Sequence, residues 1–200
     1  MYYGWVVSAA PKVKKLEDPR TLRALAHPLR LKLLGLLRTG GPATVSSLAT
    51  AVVQAVPLVS YHLRQLAEHG FIEEAPELAK DRRETWWKSS HEFTSWSMTD
   101  FLDTPERLDA IGVLQREILE RHFDRIEEFF AGAPSWSREW LDASEMSDLR
   151  LTLTPTELKQ LTTELWDVIN RWRAREPEPS DDVESTEVIL YAFPVRRASL

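Results

Sequence analysis

The fold is decided by residues 57–72, which read PLVSYHLRQLAEHGFI. Pro57 suits the first turn of a helix and Gly70 suits the position after the last turn, so the pattern predicts a helix over 57–69. Val59, Leu63 and Leu66 recur at helical spacing and predict one buried side. The polar residues between them are then held on the outward side.

Short elements of recognisable type surround this helix. The earlier ones are a helix that begins at Asp18-Pro19, a helix over 28–38, an extended piece at 42–45 and a helix over 47–52 capped by Ser46. After it, residues 71–76 and 84–90 predict the two strands of a hairpin. Helix, helix, strand, helix, turn, helix and hairpin is the order of a winged helix-turn-helix.

Three stretches of this region resemble the ArsR-like (arsenic-repressor-type) regulators of bacteria. They are LAHPLRLKLL at 25–34, VSYHLRQL at 59–66 followed by GFI at 70–72, and ETWW at 84–87. The resemblance covers roughly residues 18–90, and it implies a winged helix-turn-helix that binds duplex DNA. His27 is typical of that family, but its interpretation here is structural, as a cap at the junction of the first two helices.

The side chains that suit DNA contact lie outward on this helix, on the helix before it and at the hairpin tip. Ser, His, Arg and Gln can hydrogen-bond base edges or phosphates in a major groove about 12 Å wide, which admits one helix. Basic residues at a wing tip can meet phosphates or the minor groove. The candidate DNA-binding residues are Ser46, Ser60, Tyr61, His62, Arg64, Gln65, Lys80, Arg82 and Arg83. Packing roles stay open for Tyr61 and His62, and a solvated turn stays open for the hairpin tip.

The turn before the helix over 57–69, which is the expected recognition helix, departs from the family pattern. Val53 stands where such regulators usually have glycine, and a β-branched residue disfavours positive φ, so a longer or differently shaped turn is expected. Residues 54–57, QAVP, also lack a polar residue that would cap the helix.

Metal and thiol sensing are not expected. The chain has no cysteine. The His and Asp residues that could be considered as metal ligands lack a spacing that suits a shared ion; they are His91, Asp103, Asp109, His122 and Asp124. The chain is therefore interpreted as a non-metal-sensing regulator with no metal and no cofactor.

A small-molecule effector is an alternative input. Aromatic side chains in the C-terminal half suit an apolar pocket, although aromatics at helical spacing also suit an ordinary core. The candidate effector-binding residues are Trp136, Trp140, Trp166, Trp172 and Tyr191. A protein partner that adds a strand to residues 188–191 is a further alternative.

A long helix and a small module follow the hairpin. From Thr104 to Phe130 an apolar stripe recurs at helical spacing, comprising Leu108, Ile111, Leu114, Ile118, His122, Ile126 and Phe129. A stripe of this length needs a partner, so this helix is expected to pack against its twin in a homodimer. Strand-like residues 149–153 and 187–193 around a helix that begins at Thr154-Pro155 predict a βαβ-like module.

The expected fold class is α+β, mainly helical, in four parts. These are a flexible basic arm at 1–17, a winged helix-turn-helix DNA-binding domain at 18–100, a dimerisation helix at 101–134, and a C-terminal strand-helix-strand module at 135–200 for dimerisation or effector binding.

Charge and composition narrow the function. Residues 1–100 carry 13 Lys and Arg against 10 Asp and Glu, whereas residues 101–200 carry 12 against 21, so only the first half is net positive. Such asymmetry favours a DNA-facing first half. Hydrolase, P-loop and dinucleotide motifs are missing from the sequence, so an enzyme is not expected. The first residues have no positive leader and no long apolar run, so a cytoplasmic protein without a membrane partner is expected.

The function predicted from the sequence is a dimeric transcription regulator. It binds an operator in double-stranded DNA, and it is a repressor relieved by a small-molecule or protein effector. The alternative is a winged-helix protein-interaction module that does not bind DNA.

Overall fold

A computed structural model describes residues 12–79, 81, 84–175 and 180–196. The helices are α1 (Pro19–Leu25), α2 (Pro28–Thr39), α3 (Val45–Val52), α4 (Val56–Glu68), α5 (Pro105–Gly132), α6 (Arg138–Ala143) and α7 (Pro155–Arg173). The strands are β1 (Val13–Lys15), β2 (Ala43–Thr44), β3 (Ile72–Glu74), β4 (Trp86–Ser89) and β5 (Phe93–Ser95). The chain divides into two units, one over residues 9–131 and one that contains residues 132–200.

The helix starts follow from local capping. Asp18 accepts a hydrogen bond from the backbone N–H of Arg20 at 2.9 Å and starts α1. His27 caps α2, because its Nδ1 accepts from the backbone N–H of Leu29 at 3.1 Å. Both caps were predicted from the sequence and are confirmed. For α3 the cap is Thr44, whose Oγ1 accepts from the backbone N–H of Ser47 at 3.1 Å, so the prediction of Ser46 as the cap was wrong.

A three-stranded antiparallel sheet in the order β2-β4-β3 completes the domain. Ile72 to Glu74 pair with Ser89 to Trp87, and Ala43 pairs with Trp87. The hairpin and the short strand near residue 43 were both predicted. Together with α1 to α4 they make the order of elements of a winged helix-turn-helix.

The N-terminal arm is more ordered than predicted over residues 12–17. Strand β1 runs parallel to β5, with Val13 opposite Phe93, and the backbone N–H of Leu16 donates to the carbonyl of Ser95 at 2.8 Å. Leu16 itself is completely buried. The prediction of a loose arm through residue 17 is therefore wrong for 12–17, because an apolar anchor and a strand partner hold this segment. Residues 1–11 lie outside the described part.

The core of the first unit joins α1, α2, α3, α4 and part of α5. Its fully buried large side chains are Leu16, Leu22, Leu33, Val59, Leu63, Leu66, Phe71, Ile72, Phe101, Ile111 and Leu114. Burying one such side chain stabilises a fold by about 1.5–3 kcal/mol. The first half of α5 therefore belongs to the core of the winged helix.

The predicted stripe of α5 divides into two. Ile111 and Leu114 are buried and Ile118 packs beside them against the core of the chain's own domain. Leu108 and Ile126, which were assigned to the same stripe, are 49% and 39% exposed. A second stripe with helical spacing faces outward and contains Leu119, Phe123, Ile126 and Phe130.

The second unit contains α6 and α7. Helix α7 starts with the predicted capping box, in which Thr154 Oγ1 accepts from the Glu157 N–H and Glu157 Oε2 accepts from the Thr154 N–H. The predicted strands at 149–153 and 187–193 are not among the strands of the described residues, so the predicted βαβ-like module is not observed there. Leu149 is 86% exposed and Val188 is 69% exposed.

Candidate nucleic-acid interface

The predicted recognition helix is α4, and its two sides differ sharply. Val59, Leu63 and Leu66 are fully buried and fix the helix on the core, where it packs against α2 and α3. Tyr61 is 55% exposed and Arg64 is exposed on the opposite side. The hydrophobic side thus holds the polar side outward, as the spacing of the apolar residues predicted.

Ser60 and Gln65 border this outward side. Both are half-buried, and Gln65 Nε2 donates to Glu68 Oε2 at 3.1 Å. That bond uses one of the two Nε2 hydrogens, so the amide retains a second donor and its Oε1 acceptor for a base edge. Contacts from Ser60, Tyr61, Arg64 and Gln65 to DNA stay predictions.

His62 points the other way, which corrects its assignment as a DNA contact. It is only 5% exposed, and its ring lies 4.4 Å from the ring of His27 and 5.1 Å from that of Tyr61. Burial lowers the pKa of His62, and the neighbouring His27 and Arg30 lower it further. His62 is therefore a neutral packing residue that joins α4 to the start of α2.

The turn between α3 and α4 keeps a tight geometry despite Val53. Val53 has φ 54° and ψ 50°, the left-handed region that favours glycine. The N–H of Gln54 donates to the carbonyl of Ala49 at 3.0 Å and the N–H of Val53 to that of Thr50 at 3.2 Å, the two bonds of a Schellman motif. The expected longer turn is thus not observed, because these bonds impose the geometry on a β-branched residue.

The start of α4 has no side-chain cap, as the sequence predicted. Ala55 is the N-cap and offers no hydrogen bond. Within its first turn, Pro57 has no N–H to satisfy, and the N–H of Leu58 donates to the carbonyl of Ala55 at 3.0 Å. Ser46 is exposed on α3.

The base of the wing, formed by β3 and β4, lies within the described residues. Lys88 Nζ lies 2.9 Å from Glu77 and 3.5 Å from Glu73, so the one lysine of the two wing strands is paired with carboxylates. Lys80, Arg82 and Arg83, the predicted phosphate contacts of the tip, lie outside the described residues. The described part of the wing thus adds no unpaired basic side chain from these strands to the face of α4.

Sequence reasoning missed an apolar patch beside the recognition helix. Val53 is 86% exposed, Val56 46% and Leu58 41%, and all three belong to the turn or the first turn of α4. Side chains of this kind contact the methyl group of thymine in the major groove or an apolar surface of a protein. In the sequence, the signal for this patch is the apolar run at 55–58. A well-capped helix usually has a polar residue at its start.

The aromatic candidates for an effector site are spread over the second unit. Trp136 and Trp140 lie together, with ring centroids 6.3 Å apart. Trp166, Trp172 and Tyr191 are each about half exposed, and the guanidinium of Arg175 stacks on Trp172 at 4.5 Å. These contacts do not make an enclosed pocket, so an effector site among these residues stays a prediction.

The described residues include neither a metal-binding cluster nor a membrane-spanning helix. In that part of the chain, His, Asp and Glu form no group of three or more arranged to hold a metal ion. Its helices also include none that is long and apolar enough to cross a membrane.

Comparison with known families matches the central segment. Residues 25–75 match the model of a family described as "Helix-turn-helix domain". The fold is a winged helix-turn-helix. The matched segment runs from the end of α1 to just past β3, which includes the whole of α3, the turn and α4. No curated protein matches the chain.

Several solved structures resemble the winged helix-turn-helix at low identity. Reduced HlyU from Vibrio cholerae is 20% identical, with a TM-score of 0.32, over 50% of this chain and 86% of that one. The homodimeric winged helix-turn-helix DNA-binding domain Mb0332 from Mycobacterium bovis, described as a possible ArsR-family transcriptional regulator, is 19% identical, with a TM-score of 0.34, over 57% and 83%. The transcriptional regulator Tm0710 from Thermotoga maritima is 15% identical, with a TM-score of 0.31, over 78% and 90%.

Proposed function

We propose that this chain is a homodimeric, cytoplasmic regulator of transcription that binds duplex DNA in a sequence-specific way. The main support for the proposal is that α4 has a buried apolar side and an exposed polar side. Its apolar side is fully buried in a winged helix-turn-helix, and its polar side holds Arg64 and Tyr61 in solvent. A helix supported in this way fits the major groove.

The proposed roles follow from position. Arg64 and Gln65 read base edges, while Ser46 on α3 and the wing-tip residues Lys80, Arg82 and Arg83 contact phosphates. Ser60 and Tyr61 lie beside them on the same side of α4. His62 takes no part in contact, because it is buried beneath that side.

The proposed dimer uses the outward stripe of α5. Leu119 is 53% exposed, Phe123 60% and Phe130 58%, and they recur at helical spacing along one side of the helix. Packing this stripe against its twin removes it from water and places two α4 helices on a two-fold operator. Binding at a promoter then blocks transcription, and an effector relieves the block by acting on the second unit.

A salt series tests DNA binding. The full chain selects fragments from a randomised duplex library, and affinity for the enriched fragment is measured by mobility shift at several salt concentrations. Affinity should fall as salt rises, with a log–log slope of about −0.9 for each phosphate neutralised. An absence of shift at low salt, or an affinity independent of salt, contradicts the proposal.

Variants of α4 sharpen the test. Arg64→Ala should lose about 1–3 kcal/mol of binding to the selected site, the value of a good bidentate base contact. Arg138→Ala removes an exposed arginine of α6 whose partner is Asp142, and it serves as the charge-matched control. Equal losses in both variants would mean that only net charge matters.

A protein-interaction module remains the second candidate. The apolar patch of Val53, Val56 and Leu58 beside α4, and the acidic base of the wing, both favour a protein surface over DNA. Under this candidate the selection yields no enriched sequence, and changing Leu58 to Ala weakens partner capture while Arg64→Ala does not.

A further inference from the structure

The apolar patch of Val53, Val56 and Leu58 spans the turn between α3 and α4 and the first turn of α4. All six residues from 53 to 58 are exposed, and five of them have apolar side chains. Gln54 has the one hydrogen-bonding side chain of this stretch. Any partner of the patch is therefore contacted mainly through apolar groups.

Val53 holds its side chain in solvent at the cost of a strained backbone. Its φ of 54° lies in the left-handed region, which is unfavourable for a β-branched residue. The side chain is 86% exposed, so it gains little packing in return. Residues held in such conformations cluster at functional sites. The side chain of Val53 is therefore expected to contribute to binding rather than to folding.

The sequence around the patch has no acidic residue. Of the 31 Asp and Glu residues of the chain, none falls within residues 19–67, whereas six Lys and Arg residues do. The first carboxylate after Asp18 belongs to Glu68, the last residue of α4. Apolar character alone would also suit a protein partner, but the exclusion of carboxylates is a requirement of a polyanion. This stretch therefore favours DNA as the occupant of the patch.

The patch adjoins the side of α4 that is proposed to bind DNA. Val56 lies four positions before Ser60, and Leu58 lies three positions before Tyr61, so each neighbours a candidate DNA contact on the helix surface. The N-terminal residues of a recognition helix are the ones that contact base edges. A helix α4 that enters the major groove therefore brings the patch against bases.

We propose that Val53, Val56 and Leu58 contact the C5-methyl groups of thymines, so that the operator has thymine at base pairs under the start of α4. The thymine methyl is the apolar feature of the base edges in the major groove, and apolar side chains recognise it by contact. Cytosine presents a polar amino group at the same edge, which would lose water against an apolar surface. The inference rests on the proposed function, and it adds a preferred base to the proposed contacts of Arg64 and Gln65.

Replacing thymine by deoxyuridine tests the proposal, because this change removes the methyl group and keeps the base pair. The full chain first selects fragments from a randomised duplex library, and the enriched fragment is then made with uracil at each thymine in turn. At least one thymine of each half-site should bind about fourfold more weakly as uracil, the factor expected when one methyl-sized group stays in water. Equal affinities for the thymine fragment and every uracil fragment would overturn the proposal.

Variants of the patch show whether these side chains recognise the methyl group. The difference between thymine and uracil should disappear in at least one of the Val53→Gly, Val56→Ala and Leu58→Ala chains. The matched control is Val113→Ala, an exposed valine of α5, which should keep the full difference. Urea unfolding of each variant separates a lost contact from a lost fold. A difference that persists unchanged in all three patch variants would assign the methyl group to other residues and overturn the proposal.

The outcomes for this proposal and for the proposed function are distinguishable. A chain that binds its selected DNA but does not distinguish thymine from uracil refutes the methyl contact and leaves the proposed function standing. A chain that binds no duplex overturns both, and it leaves the apolar patch to the protein-interaction candidate.

Discussion

Replacing Val53 by glycine should stabilise the winged helix. Val53 adopts φ 54° in the turn between α3 and α4, and its side chain is 86% exposed. A left-handed conformation costs an L-residue about 1–2 kcal/mol, because Cβ approaches the next carbonyl oxygen. The exposed side chain contributes little packing to offset this cost.

The net gain is smaller than the strain relieved. Glycine widens the unfolded ensemble, which costs about 0.4–1 kcal/mol at a position of this kind. Val53→Gly should therefore raise the free energy of unfolding by about 0.5–1 kcal/mol, given the strain removed. In a chain of this size each kcal/mol moves Tm by about 2–4 °C.

Urea unfolding of the full chain, followed by tryptophan fluorescence, measures the effect. Val113→Gly is the matched control, since Val113 lies in α5 at 42% exposure with helical geometry. There the same change should lower stability, because glycine weakens a helix interior. A fall in stability for Val53→Gly similar to that for Val113→Gly would refute the strain argument.

Three other outcomes test the same domain. Thr44→Ala should cost about 0.5–2 kcal/mol in urea unfolding, because α3 loses its cap; an equal cost for Ser46→Ala would contradict the assignment of the cap. Leu114→Ala should cost about 2–5 kcal/mol as a buried deletion, whereas Leu119→Ala, measured at concentrations that favour the monomer, should cost clearly less; similar values would deny that α5 has two different stripes. Burial and then Arg30 lower the pKa of His27 below its usual 6.5, while Glu117 opposes them, so the folded state takes up protons less readily than the unfolded chain. Stability should therefore fall as pH drops below about 6.5, and His27→Asn, which can still cap α2, should flatten this dependence; an unchanged profile would exclude His27 as a source.

The parts of the fold that were predicted correctly are governed by local chemistry. Asp18, His27 and Thr154 each cap the helix that follows, and the residues needed for each bond lie within three positions. The buried side of α4 was also predictable, because Val59, Leu63 and Leu66 leave one inward side. Such patterns are complete within one or two helical turns.

The parts that were missed depend on distant residues. Strand β1 pairs with β5, whose partner residues stand 80 positions away, as in Val13 and Phe93. His62 is polar and lies between two exposed candidates in the sequence, yet the ring of His27 covers it in space. The stretches 149–153 and 187–193 alternate as strands do, but they are not among the strands of the described residues. No pattern among neighbouring residues in the sequence indicates these distant contacts.

Helix α5 connects the proposed DNA-binding domain to the proposed dimer interface. Its inner stripe is fixed to the core through Ile111 and Leu114, and Arg107 ties its first turn to the carbonyls of Asp100 at 2.6 Å and Glu17 at 3.0 Å. A helix anchored in this way presents its outer stripe at a set angle to α4. Two copies joined through that stripe then hold their recognition helices at one separation, which a two-fold operator requires, because its half-sites are about 34–36 Å apart or a multiple of that distance. A loosely attached dimerisation helix would satisfy the same apolar pattern in the sequence but would not select a spacing, so the inner stripe matters to recognition as much as the outer one.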